Sequence, residues 1–162
     1  MRLAVAVCML AAMACAEPAR LAHAHSSPEA LGSAVLNAFA RKDVEHLHAL
    51  AVSEHEFRQQ IWPGLPAARP ERNVPVDYVW GDLRQKSDAR LRALVAQRGG
   101  QRFSLVSLRF DGPVSRYATG TVRRNPTFVV RDTGGRVQEL RLCGSILEKD
   151  GQWKVFSYIV DG

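Results

Sequence analysis

The chain has 162 residues, 46% of them hydrophobic, and a formal net charge of +6. This is a usual length for one domain with a substantial core. The positive charge comes from 18 arginines and four lysines, scattered among acidic residues with no continuous basic helix face. That distribution, together with the export signal described next, argues against a nucleic-acid partner.

The first 16 residues have the three parts of a secretion signal. Arg2 gives the positive start, residues 3–14 form an apolar run, and Ala14-Cys15-Ala16 supplies the small residues of a cleavage site. The run is shorter than the roughly 20 apolar residues that a membrane-spanning helix needs. We therefore expect residues 1–16 to be removed as the protein is exported to the periplasm or secreted.

The processing of this signal has two alternatives. Cys15 follows the apolar run directly and could be lipidated. A lipid at Cys15 would be the only expected link to a membrane. Ala12, however, stands where lipoprotein signals favour leucine. A second small-x-small site, at residues 22–24, leaves the cleavage position open. With cleavage after Ala16, residues 17–26 form a linker and residues 27–162 form one domain.

Only one cysteine, Cys143, remains after removal of the signal. An exported chain with a single cysteine forms no internal disulfide, so packing alone must hold its fold. We expect Cys143 to be a small core or strand residue rather than a nucleophile.

The first half of the domain has the signals of short capped helices. Ser26 is predicted to cap the first helix and to form a capping box with Glu29, and Pro28 suits the first turn. Ser27 is the other candidate cap. Asp43 is predicted to cap a second helix, and Ser53–Glu56 forms another capping box that opens a third.

The middle of the domain contains a proline-rich segment and then a longer helical pattern. Residues 63–75 hold four of the chain's eight prolines, and we predict an ordered excursion across the surface. The helical period resumes at Val76 and stops at Gly99-Gly100. Ser87 could cap a fresh helix, so the pattern fits either one helix or two.

The last third predicts an antiparallel sheet of about four strands. A change of phase within 103–110 indicates a bulge or strong twist. Asp132–Gly135 and Asp150-Gly151 have the composition of tight turns. The predicted strands are 103–110, 116–131 with an interruption near Asn125, 136–148, and a last strand within 152–160. Helices followed by a meander of strands predict the α+β class, with N-terminal helices packed on an antiparallel sheet.

Both ends of the domain resemble the nuclear transport factor two-like (cystatin-like) superfamily. The ending Glu148-Lys149-Asp150-Gly151-Gln152-Trp153-Lys154-Val155-Phe156-Ser157-Tyr158 is similar to its terminal hairpin, and the helix running into Ala38-Phe39-Ala40-Arg41-Lys42-Asp43 is similar to its opening helix. The resemblance implies a cone, in which a curved sheet wraps a long helix and leaves a cavity. The superfamily includes ketosteroid isomerases, small-ligand binders and interaction modules. The middle of the chain departs from the pattern, because a strand pair is expected between the helices.

The histidines give no metal site. His46, His48 and His55, with Glu45, Glu54 and Glu56, are the only cluster of metal-ligating residue types. His46 and His48 are two residues apart and so point to different sides of a helix. We therefore expect solvated helix faces, with neither a metal nor another cofactor.

Five residues are candidates for lining a cone cavity. Asp77, Tyr117 and Tyr158 would supply its polar groups, and Trp62 and Trp80 an aromatic lip beside the proline-rich segment. Each has a structural alternative: Asp77 as a helix cap, the tyrosines as sheet residues with satisfied hydroxyls, and the tryptophans as anchors of the loop. None lies in a recognisable catalytic motif, so no catalytic residue is assigned.

These observations favour an exported, non-enzymatic domain that binds a small apolar ligand or another envelope protein. The alternatives are a lyase or isomerase that uses the same cavity, and a structural dimerisation module. The last strand carries apolar residues on both faces, which suggests a homodimer through the open side of the sheet.

Overall fold

The computed structural model of the protein describes residues 20–160. The predicted signal segment 1–16 and the candidate lipid anchor Cys15 lie outside the described residues, so signal removal and lipidation stay predictions. Within residues 20–160, no helix combines the length and apolar character needed to cross a membrane.

The first half of the described chain is helical, as predicted. Ser27, and not Ser26, caps the first helix, because its Oγ accepts the N–H of Ala30 at 3.1 Å. Asp43 and the Ser53–Glu56 capping box confirm the two other predicted starts. The helices are α1 (Pro28–Arg41), α2 (Val44–Leu50), α3 (Glu54–Glu56) and α4 (Val76–Arg98); between α3 and α4 lie a π-helical turn (Phe57–Ile61) and three 3₁₀ turns (Trp62–Gly64, Pro66–Ala68, Pro70–Arg72).

Helix α4 is one continuous helix of 23 residues. Ser87, which could have begun a second helix, lies in its interior and is buried. Its Oγ accepts the buried backbone N–H of Tyr158 at 3.0 Å, so this hydroxyl joins the helix to the segment after the last strand. The helix ends at Gly99, as the sequence predicted.

The rest of the chain confirms the α+β class, with seven antiparallel strands where about four were predicted. The interruption predicted near Asn125 is present, where φ is 51° and left-handed, and further breaks divide the predicted segments 116–131 and 136–148. The strands are β1 (Phe103–Phe110), β2 (Val114–Tyr117), β3 (Gly120–Arg124), β4 (Pro126–Asp132), β5 (Val137–Leu140), β6 (Ser145–Lys149) and β7 (Gln152–Ser157). One sheet has the order β1-β4-β5 and the other β2-β3-β6-β7.

The main core lies between the helices and the strands. It contains α1, α2 and the second half of α4, where Leu91 is 0% exposed and Leu94 is 3% exposed. Cys143 is buried in this core, as predicted, and burial raises the pKa of its thiol far above the usual range.

A second apolar cluster covers the other side of the four-stranded sheet. The π-helical turn and the first half of α4 contribute Phe57, Ile61 and Trp80, and the sheet contributes Val122 and Phe156. The rings of Phe57 and Phe156 have their centroids 6.4 Å apart. The chain itself therefore covers the second face of the last strand, which removes the reason for expecting a homodimer.

Residues 20–25, predicted to belong to a linker, pack onto the domain instead. Leu21 is only 4% exposed, and its N–H donates to the Gln152 side chain at 2.9 Å. His25 exchanges two backbone hydrogen bonds with Trp153, of 2.8 and 3.0 Å. We call residues 20–25 the N-terminal strap.

Candidate functional site

An apolar groove runs between the first half of α4 and the four-stranded sheet. Its outer part has a volume of about 460 Å³. A narrower inner part of about 220 Å³ shares five of its lining residues, so the two form one groove. The outer part is lined by Phe57, Leu65, Tyr78, Val79, Asp82, Leu83, Lys86, Tyr117, Val122, Arg124, Phe156 and Ile159; Gly144, Ser145 and Ser157 are added in the inner part.

The groove exists because the two halves of α4 are packed differently. Leu91 and Leu94 in the second half are buried in the main core. Val79 and Leu83 in the first half face the second cluster and stay only partly buried. This half of the helix therefore leaves part of its apolar face open opposite the sheet.

A bulge in β7 determines which side chains of the last strand enter the groove. The register of β7 against β6 shifts beside Phe156, which inserts one extra residue. Val155 and Tyr158 therefore both enter the main core, while Phe156 and Ile159 both line the groove. Strict alternation along the strand would have placed Phe156 and Tyr158 on the same face of the sheet.

Two tyrosines, and not two tryptophans, form the aromatic lip of the groove. Tyr78 is 70% exposed at the start of α4, and Tyr117 lies opposite at the end of β2. Trp62 and Trp80 pack against Phe57 instead, with ring centroids 6.1 and 5.2 Å from it. Both tryptophans therefore anchor the π-helical turn and its neighbours, which was the structural alternative for them.

Of the polar candidates, only Tyr117 lines the groove. The Asp77 side chain is 80% exposed in the first turn of α4 and pairs with Arg58. Tyr158 is 1% exposed, and its hydroxyl donates to the Leu47 carbonyl at 2.6 Å; burial raises the pKa of this phenol. The structure thus does not bring Asp77 and Tyr158 together with Tyr117, and it corrects the prediction that they line one cavity.

Charged side chains of the groove lie at its rim and at its inner end. Asp82 and Lys86 form an ion pair of 2.8 Å on the helix side, and the Asp82 hydrogen bond raises the pKa of Lys86. Arg124 lies across from them on β3, where it borders both parts of the groove. The four-residue spacing of Asp82 and Lys86 predicts their pair, which the structure confirms, whereas nothing in the sequence pointed to Arg124.

A buried ion pair between α3 and β7 was not foreseen from the sequence. Lys154 Nζ donates to both oxygens of Glu56, at 3.1 and 2.9 Å, and the two side chains are only 2% and 4% exposed. Burial alone would raise the pKa of Glu56, but hydrogen bonds from the Ser53 N–H, Lys154 and the Ala22 N–H hold it below its usual value. The pair is therefore structural and joins α3, β7 and the N-terminal strap.

The histidines do not form a metal site within residues 20–160, where no group of three potential ligands converges. His48 lies 3.3 Å from Arg84 and 3.6 Å from Asp88. Its pKa is lowered by burial first and by the neighbouring Arg84 cation second. His48 thus joins α2 to α4 as a neutral hydrogen-bonding residue at neutral pH.

Another cleft, of about 580 Å³, lies at the far end of α4. Arg98, Arg102 and Arg136 line it, together with Asp132 and other polar groups. Asp132 is engaged in its own turn, where its carboxylate accepts the N–H groups of Gly134 and Arg136 at 2.9 Å. This cleft has few apolar walls, so it is poorly suited to an apolar ligand.

Comparison with known proteins gave no match to a protein family, to a curated protein or to a solved structure.

Proposed function

We propose that this protein is an exported, non-enzymatic binding protein that holds a small apolar ligand in the groove between α4 and the four-stranded sheet. The observation that carries the proposal is the groove itself. It is concave and walled by aromatic and aliphatic side chains, with few polar groups. Sites for small apolar molecules have this composition and are of this size.

The charged groups of the groove support binding over catalysis. General acid–base catalysis needs a titratable group held in a partly dry pocket. Asp82 is at the exposed rim in an ion pair with Lys86, and Asp77 is solvated beside Arg58. Neither carboxylate is held in a dry pocket, so Asp82→Asn and Asp77→Asn should each leave ligand affinity nearly unchanged. Turnover abolished by either change, with folding and binding intact, would favour a lyase or isomerase instead.

The cone-like architecture is part of the same proposal. Helices packed on antiparallel strands, with an open groove on one side, agree with what the resemblance to the nuclear transport factor two-like superfamily implies. We propose membership of that superfamily on the strength of the terminal hairpin and the opening helix. The groove would then be the superfamily's cavity, open at the lip formed by Tyr78 and Tyr117.

Filling the groove tests the proposal. The probe is Nile red, a neutral apolar dye whose fluorescence increases in an apolar site. Leu83→Trp replaces an aliphatic side chain with the larger indole ring and so fills part of the groove. It should weaken Nile red binding roughly tenfold or more, a loss of about 1.4 kcal/mol in binding free energy. Val106→Trp is the matched control, because Val106 is 51% exposed on β1 in the other sheet. It should bind the dye like the unmodified chain.

A second variant guards against a folding defect in Leu83→Trp. Tyr78 is largely exposed, so Tyr78→Ala should leave the fold and the melting temperature intact while it removes half of the lip. Its Nile red affinity should fall severalfold. Full affinity in both groove variants, with circular dichroism unchanged, would mean that the dye binds elsewhere and that the groove is not the site.

A further inference from the structure

We propose that the ligand of the groove is an amphiphile with a carboxylate head, and that Arg124 binds this carboxylate at the inner end. This inference rests on the proposed function and adds the chemical class of the ligand. It follows from the arrangement of three polar side chains on the sheet, from the pairing of the charges around them and from the apolar walls.

The three polar side chains form a row across β3, β6 and β7. Arg124 is the register partner of Ser145, and Ser145 is the register partner of Ser157. Directly opposed residues on one face of a sheet have Cβ atoms about 4.5–5.5 Å apart. All three residues line the inner part of the groove, where the two serines are 8% and 5% exposed.

The row presents donors rather than acceptors. The Ser157 Oγ accepts the N–H of Ile159 at 3.0 Å, so its hydroxyl hydrogen can be donated outward. The Ser145 hydroxyl beside it is a second donor, and the guanidinium of Arg124 has five N–H donors in a planar fork. Two hydroxyls beside a guanidinium complement an anion, and a planar carboxylate fits the fork through two parallel hydrogen bonds.

The acidic residues around the groove form ion pairs with cations other than Arg124. Asp82 pairs with Lys86 on the helix side, and Glu148 binds Arg123 at 2.6 Å on the opposite face of the sheet. Within residues 20–160, no ion pair includes Arg124. The positive charge at the inner end of an apolar groove is therefore available to a ligand.

The apolar walls of the groove indicate that the rest of the ligand, beyond its carboxylate, is apolar. Leu83, Val122 and Phe156 border Arg124 in the inner part and continue into the outer part. A ligand that fills both parts needs an apolar body extending toward the lip and a charged end against the row. Arg124 is itself an exposed residue, so its guanidinium can be reached by a head group from the open side of the groove.

The test compares three ten-carbon probes that differ only in the head group: decanoate, 1-decanol and decylammonium, titrated calorimetrically at neutral pH. The native chain should bind decanoate roughly tenfold more tightly than 1-decanol, and decylammonium most weakly. Arg124→Gln should remove the preference for decanoate while it leaves 1-decanol affinity unchanged. Arg116→Gln is the matched control, since Arg116 is exposed on β2 and outside the groove; it should keep the preference.

The outcomes separate this inference from the proposed function. Equal affinity for decanoate and 1-decanol would overturn the carboxylate head but leave the apolar groove standing. Binding of none of the three probes would overturn both. A preference that persists in Arg124→Gln, with an unchanged melting temperature, would place the carboxylate at another cation and overturn the role of Arg124. A stable dimer that no probe dissociates would mean that a second copy fills the groove, which overturns the inference.

Discussion

At the scale of single residues, the Glu56 carboxylate joins three parts of the chain that are far apart in sequence. It accepts the Ser53 N–H at 2.8 Å, the Ala22 N–H at 2.7 Å and the Lys154 ammonium at 2.9 Å. Removing two charges from water is costly, and their attraction offsets that cost only when the remaining polar atoms are also satisfied. Here each carboxylate oxygen accepts two hydrogen bonds, which meets this condition.

We expect Lys154→Met to destabilise the protein by about 3–5 kcal/mol, because it leaves a buried carboxylate without its cation. The double variant Glu56→Gln, Lys154→Met should be less destabilised than Lys154→Met alone. The neutral amide buries no charge, and its single oxygen can still accept one of the two N–H groups, of Ser53 or Ala22, which bind different oxygens of the carboxylate. Urea unfolding followed by circular dichroism measures both. A double variant less stable than the single one would contradict this account of the pair.

The same pair predicts a dependence on acid. The folded-state pKa of Glu56 is lowered from its ordinary value of 4.5. Its contribution to stability is therefore complete above that value and is lost as the pH falls through the lower, folded-state pKa. Glu56→Gln has no such titration, so its unfolding free energy should fall less between pH 6 and pH 3 than that of the native chain. Parallel pH profiles would contradict the assignment.

At the scale of elements, the N-terminal strap is part of the fold rather than a linker. Leu21 packs into the second cluster with Val52 and Leu147, and the backbone of the strap binds β7 and Glu56. The two cleavage sites considered for export therefore have different consequences. Cleavage after Ala16 keeps the strap, whereas cleavage after Ala24 would remove Leu21 and Ala22.

Leu21→Ala should destabilise the protein by about 2–5 kcal/mol, as expected for truncation of a buried leucine. Ala22→Ser is the control from the same strap, because the Ala22 side chain is exposed and only its backbone is used. A chain that begins at His25 should melt at a lower temperature than one that begins at Glu17. Equal melting temperatures for these two chains would show that the strap does not contribute to stability.

Local features of the elements could be predicted from the sequence, whereas features that depend on pairing between distant segments could not. The caps at Asp43 and Ser53 and the bulge in β1 involve near neighbours, and the structure confirms them. The Glu56–Lys154 pair joins residues 98 positions apart, and the row at Arg124 depends on strand register. The bulge at Phe156 sends Tyr158 inward, and neither its position nor its effect follows from the local pattern.

At the scale of the whole molecule, the chain has two apolar clusters on opposite sides of the four-stranded sheet, and they are closed to different degrees. The main core is filled by α1, α2 and the second half of α4. The second cluster covers Phe156 but leaves the groove along the first half of α4. The chain thus needs no second copy to cover its four-stranded sheet, and we expect the protein to sediment as a monomer at tens of micromolar.

The central claim is that the groove is where this protein binds, and mapping the amide resonances of the ¹⁵N-labelled chain during titration with 1-decanol tests it most directly. We expect the largest shifts at Val79 and Leu83 on α4, and at Val122, Phe156 and Ile159 on the facing strands and the segment after them. Shifts centred instead on the arginine-lined cleft of residues 98–103 and 132–138, or no localised shifts at all, would contradict it.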